Sequence, residues 1–168
     1  KHPEIFTKQG ELKSQYKHAD YIIQRAERDK LFMKYMSGEK QKIFTGEIAG
    51  VPFKIKVDSY HPGVIVDLKC VKDFKPVWNG DKHTKEHYIL YWGYHIQGAI
   101  YREIVRQNTG STPLFYIAAV TKESEPDINV SWIPESVLDD ALDEVKSLAP
   151  RFQKIKNGEI TPQRDRKS

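Results

Sequence analysis

Asp67 and Lys69 stand two apart in Val64-Ile65-Val66-Asp67-Leu68-Lys69-Cys70. On a β-strand that spacing turns both to one face and Val66, Leu68 and Cys70 to the other. A carboxylate and an ammonium on an otherwise apolar strand form either a satisfied ion pair, the usual outcome for an isolated Asp-x-Lys, or part of a reactive site. Asp58 ends the preceding alternation, in which Val51, Phe53, Ile55 and Val57 interleave with Lys54 and Lys56. If the two runs pair as a hairpin across His61-Pro62-Gly63, Asp58 comes beside Asp67. Two carboxylates at a sheet end suit a hard divalent cation, and a lysine beside them can orient a water. Further on, Gln97 and Tyr101 lie four apart, so a helix there sets both on one face. An amide and a phenol so placed either serve a site or satisfy each other in packing.

The elements that must position these residues can be read from periodicity. Residues 9–36 carry Ala19, Ile22, Ile23 and Ala26 at helical spacing, with a break expected near Asp29 and an end at Ser37-Gly38. Residues 41–48 and 51–58 read as a hairpin, and 64–70 as a short strand buried on both faces, with Cys70 in the core. Pro76 and Asn79-Gly80-Asp81 mark a turn, and Thr84 is a candidate N-cap for one buried helix over 84–107. Strands follow at 114–120 and 127–133. Pro134 then opens a helix whose stripe is Val137, Leu138, Ala141, Leu142, Val145 and Leu148. The expected class is α/β, a small mixed β-sheet flanked by helices with a crossover through 84–107. Residues 1–150 are expected to form one domain, helical over 1–38, with the sheet and crossover over 40–133 and a helix over 134–150.

In this order the residues resemble the PD-(D/E)XK nuclease superfamily, in its RecB, RecE and lambda-exonuclease-like branch with the Q-x-x-x-Y motif. The similarity extends to Phe44-Thr45-Gly46-Glu47-Ile48-Ala49-Gly50-Val51-Pro52-Phe53, Val66-Asp67-Leu68-Lys69 and Tyr94-His95-Ile96-Gln97-Gly98-Ala99-Ile100-Tyr101, which look like phage and prophage exonucleases related to exonuclease VIII. The resemblance covers about residues 40–125 and implies a restriction-endonuclease-like core. It implies that Asp58, Asp67 and the main-chain carbonyl of Leu68 hold Mg²⁺ or Mn²⁺, and that Lys69 positions the attacking water. Gln97 and Tyr101 would hold the active face and touch the DNA backbone. Glu47 is a further candidate carboxylate, with solvated strand charge as its plain alternative. The implied activity is an exodeoxyribonuclease degrading linear double-stranded DNA in phage or prophage recombination, in the cytoplasm of a bacterial host. A single-strand annealing protein is the implied partner and a homo-oligomeric ring the implied assembly. A catalytically silent DNA-binding or assembly module is the alternative. Branch members carry a further histidine or glutamate ligand on an N-terminal helix; His18 and Glu27 stand on such a helix here, outside any matching motif.

Other chemistries are weaker or excluded. His83-Thr84-Lys85-Glu86-His87 fits the H-x-x-E-H pattern of inverted zinc peptidases, but straddles the expected helix start. His61, on the turn between the carboxylate strands, is a candidate DNA contact. One cysteine excludes an internal disulfide framework and a four-cysteine iron–sulfur cluster, and favours a reducing cytoplasm. No P-loop or dinucleotide fingerprint occurs. The net charge of +4 reflects residues 151–168, where six basic residues face two acidic ones; residues 1–150 hold 21 of each sign. A neutral body with a basic tail does not argue DNA binding by charge alone. Lys122 and Glu123 read as surface charges. The start, Lys1-His2-Pro3-Glu4, has no initiator Met, so the chain is expected to be a fragment.

Overall fold

A computed structural model describes residues 5–161. Two helices, α1 (Ser14–Arg28) and α2 (Lys30–Tyr35), lead into strands β1 (Glu39–Ile48), β2 (Val51–His61) and β3 (Val64–Val71). A small ladder of β4 (Val77–Asn79) and β5 (Thr84–Glu86) follows, then α3 (Tyr88–Tyr91) and α4 (Tyr94–Thr109). Strands β6 (Leu114–Thr121) and β7 (Ile128–Trp132) and helix α5 (Glu135–Lys156) complete the described chain. The five-stranded sheet has the order β1-β2-β3-β6-β7. β3 and β6 are parallel and the other neighbours antiparallel, so β4, β5, α3 and α4 form the crossover. This is the mixed α/β sheet the sequence leads one to expect.

The helix break near Asp29 is present and has a local cause. Asp29 adopts an extended conformation and its carboxylate accepts from Phe32 N at 2.8 Å, capping α2. Phe32 then buries with Val66 and Ala118 in a small cluster on one face of the sheet. The main core lies on the other face, where Ile65, Phe115 and Ile117 meet Ile104 and Val105 of α4 and Leu138 and Val145 of α5. Helix α4 approaches this closely because residue 98 has no side chain. A Cβ on Gly98 would come within 2.8 Å of the Phe115 ring and 3.0 Å of Leu138.

Three sequence expectations require correction. Residues 84–107 are not one helix: Thr84 begins β5 and caps nothing, and Gly93, at φ 69°, separates α3 from α4. The apolar residues of this stretch mimic one helical periodicity because residues are buried on both sides of that kink, Tyr88 and Ile89 before it and Ala99, Ile104 and Val105 after it. β3 is not buried on both faces throughout: Leu68 is 43% exposed and Cys70 is exposed, since α2 covers Val66 but not the end of the strand. Finally, α5 runs past Pro150 to Lys156, so the first third of the basic tail is helical. Arg164, Asp165, Arg166 and Lys167 lie outside the described residues. No described helix is long and apolar enough to cross a membrane.

Candidate active site

β2 and β3 pair from His61–Val64 to Ser59–Val66, and one further step along that register sets Asp58 opposite Asp67. Here the ladder gives way to side-chain bonds. Asp58 Oδ2 accepts from Leu68 N at 2.9 Å, and Oδ1 accepts from the Gln41 amide at 2.8 Å. The Asp58 carboxylate thereby takes the place of a main-chain acceptor for Leu68. Gln41 sits at φ 54°, an uncommon setting for a residue with a side chain, and interrupts the β1–β2 pairing opposite Asp58. Strain of this kind persists only where surrounding bonds hold it, and the bond to Asp58 is one of them.

Asp67 and Lys69 share a face of β3, as their spacing requires, and that face looks onto α4. Lys69 Nζ lies 2.7 Å from Asp67 Oδ2 and donates to Gln97 Oε1 at 2.7 Å, while Gln97 Nε2 donates to Asp67 Oδ1 at 2.9 Å. The three side chains close a ring in which the amide has one possible orientation: its oxygen must meet the ammonium and its nitrogen the carboxylate. The Tyr94 ring, one turn before Gln97, covers the ammonium at 4.8 Å. Asp67 is 3% exposed, and burial pushes its carboxyl above the ordinary carboxylate range. Lys69 opposes that rise, the charge of Asp58 adds to it, and the Gln97 amide opposes it.

At Asp67 the cost of burial outweighs the Lys69 ion pair, so added positive charge beside it would favour the ionised carboxylate. Although Lys69 is in ion-pair contact, Asp67 Oδ2 receives no directed hydrogen bond among the described residues. Two neighbouring carboxylates, one with an unused oxygen lone pair, fit a hard divalent cation. Among the described residues no group of three or more His, Cys, Asp or Glu side chains gathers to hold a metal ion. A main-chain oxygen, such as that of Leu68, or water would add to the two carboxylates there.

The other sequence candidates are placed as follows. Tyr101 lies one turn beyond Gln97 and meets Phe115 edge-on with ring centroids 6.5 Å apart. Glu47 is exposed and pairs with Pro52 at the far end of the β1–β2 hairpin, so the structure does not bring it to Asp58. Its backbone is held there by the Gln107 amide. His18 Nε2 bonds the Lys122 carbonyl at 3.0 Å and Glu27 is exposed. His61 Nε2 bonds the Tyr35 carbonyl at 2.9 Å, tying β2 to α2. The histidine pair fails as a zinc site on geometry, because Thr84–Glu86 is extended and four residues of strand span roughly 13 Å. Glu86 is occupied by Lys82 and Asn79, and His87 caps α3.

Sequence reasoning missed Gln41 and Tyr94. Tyr94 had a signal, since it precedes Gln97 by three residues and so shares its helical face. Gln41 had none, because only the register of β1 against β2 reveals it.

Comparison with known proteins bears on the fold. Residues 1–167 match the model of a family described as a PDDEXK-like domain of unknown function, DUF3799. A crystal structure of a protein from Eubacterium rectale, described as a "putative exonuclease", superposes with a TM-score of 0.89 at 50% identity over 99% of this chain. The chain spans 63% of that protein. Comparison with curated proteins gives no match. Matched over nearly its whole length by that family model and sharing the mixed sheet of the Eubacterium rectale protein, the chain belongs to the PDDEXK-like DUF3799 family and has its nuclease-type fold.

Proposed function

We propose that this domain is a divalent-metal-dependent deoxyribonuclease, an exonuclease hydrolysing phosphodiester bonds of linear double-stranded DNA, and that it serves phage or prophage recombination. The observation that carries the reading is the closed ring of Asp67, Lys69 and Gln97 beside Asp58. It keeps a buried carboxylate and an ammonium together against a large desolvation cost, which an ordinary ion pair at a strand end does not require. The Eubacterium rectale neighbour's description supports the exonuclease part of the reading.

In this reading Asp58, Asp67 and the Leu68 carbonyl would hold Mg²⁺ or Mn²⁺, which when bound would supply Lewis-acid stabilisation of phosphoryl charge. Lys69 holds the attacking water and offsets phosphate charge. Gln97 keeps the ammonium and carboxylate at fixed separation, and Tyr94 limits the ammonium's freedom by covering one side. Tyr101 supports the same helix face through Phe115 and contacts the sugar–phosphate backbone. A ring of subunits and a single-strand annealing partner belong to the same proposal.

The test is incubation with linear and covalently closed duplex DNA, with Mg²⁺ or with EDTA, beside Asp58→Asn and Lys69→Ala. Loss of the linear DNA alone, dependent on Mg²⁺ and absent in both variants, is the expected result. Binding without cleavage by a folded wild-type chain in Mg²⁺ and in Mn²⁺ would instead favour the silent DNA-binding module.

A further inference from the structure

The protein has three tryptophans, and all are exposed: Trp78 by 57%, Trp92 by 59% and Trp132 by 49%. Indole is among the largest apolar side chains and is normally well buried, so exposed indoles on elements that pack together call for a partner. Trp132 lies on β7 at the sheet edge. Trp78 and Trp92 both belong to the crossover segment, which also supplies Tyr94 and Gln97 to the candidate site. Trp92 meets Tyr91 edge-on at 4.9 Å and is followed by Gly93, whose left-handed φ turns the chain directly into the helix bearing Tyr94. Trp78 sits in β4 opposite Lys85, and α3 packs against that strand.

The indoles are held on a firm support. In β4, Val77 packs on the main core and Asn79 donates to Glu86 at 2.7 Å, which leaves Trp78, between them, turned outward. Phe74, Tyr88 and Tyr94 form a chain of ring contacts, with centroids 5.6 and 6.4 Å apart, that joins the β4 region to the ring over Lys69. The same segment carries exposed Lys72, Lys75 and Lys85, of which Lys85 stands directly across the ladder from Trp78.

We infer that Trp78 and Trp92 form a stacking platform for the unpaired bases of a nucleic-acid strand leading to the Asp58–Asp67–Lys69 site. Flat apolar faces interleaved with ammonium groups match the two parts of a single strand, bases and phosphates, and stacking of this sort is indifferent to sequence. A duplex interior offers the indoles no such face, because its bases are already stacked on each other. The proposal rests on the nuclease reading for its direction and narrows the substrate to DNA with a frayed or overhanging end.

The test is titration of the whole chain in EDTA with an oligothymidylate of about 16 nucleotides, followed by tryptophan fluorescence and by anisotropy of a labelled oligomer. Quenching is expected, with affinity reduced by roughly 5- to 100-fold in Trp78→Ala and in Trp92→Ala. Trp92→Phe is expected to keep part of the affinity and Trp132→Ala all of it. Because the indoles project into solvent, thermal melts of the variants should match wild type, and a variant that melts early is replaced by its phenylalanine counterpart. With Mg²⁺, the wild type should cleave duplexes with overhangs faster than blunt ones, and Trp92→Ala should lose that preference. Affinity unchanged in both Trp78→Ala and Trp92→Ala, or lost equally in Trp132→Ala, overturns the platform. Loss of oligomer binding in the two variants with no cleavage of any DNA by wild type would overturn the nuclease reading and leave the platform standing.

Discussion

Gln97 does its work by being an amide, a group with one donor end and one acceptor end. It meets an ammonium and a carboxylate at once, and no charged side chain of similar size can do both. Gln97→Ala is therefore expected to lower cleavage about 10- to 100-fold by releasing Lys69 and Asp67 from their fixed separation, with little change in the global fold. Steady-state cleavage of linear DNA beside a thermal melt separates the two effects. The raised Asp67 carboxyl gives a second expectation for the metal-free protein. Between the ordinary carboxylate value and the raised one, the folded state holds more protons than the unfolded state, so stability falls as pH rises through that window. Asp67→Asn has no charge to desolvate. It should melt above wild type in EDTA at neutral pH, and the gap should close as pH drops below the ordinary carboxylate range. At this scale much was legible in the residues: Asp58, Asp67, Lys69 and Gln97 do converge. Glu47 stands apart because it lies at the end of the β1–β2 hairpin opposite to Asp58, and spacing along the chain does not say which end the site occupies.

The elements were legible where a local signal coincided with the tertiary one. Asp29 breaks α1 from α2 because its side chain caps the second helix, and Asp is among the favoured N-cap residues. The 84–107 stretch was misread because burial comes from two directions: Tyr88 and Ile89 sink into the core from a short turn while α4 packs separately. Gly93 marked the boundary, but a glycine inside an apolar run has several explanations. Gly98 has one. With Phe115 and Leu138 against it, Gly98→Ala is expected to lower stability by about 1–3 kcal/mol through overpacking, seen as a lower urea midpoint. The same change shifts α4 away from β3, so cleavage should fall more steeply than stability. An unchanged midpoint would mean that α4 can slide, and that the amide ring has slack.

At the scale of the molecule, the charge is balanced over residues 1–150, so any grip on DNA has to be local. If Lys69, Lys72, Lys75 and Lys85 supply the phosphate contacts, binding in EDTA should weaken with salt at a log–log slope of about −3 to −4. A markedly steeper slope would move the contact to the basic residues after 150. The sheet order was foreseeable as a mixed sheet, but which strands became neighbours depended on the crossover, a long-range event that no window of sequence records. That crossover has a consequence for the life of the chain. Gln97 follows Asp67 by thirty residues and reaches it from the crossover helix that leads from β3 to the parallel strand β6. Synthesis delivers the two acids long before the amide that orders them, and parallel pairing is slow to form. A ribosome-bound or half-folded molecule thus holds the acids of the proposed site without the amide that fixes them, and on the nuclease reading no cleavage is expected before the fold is finished.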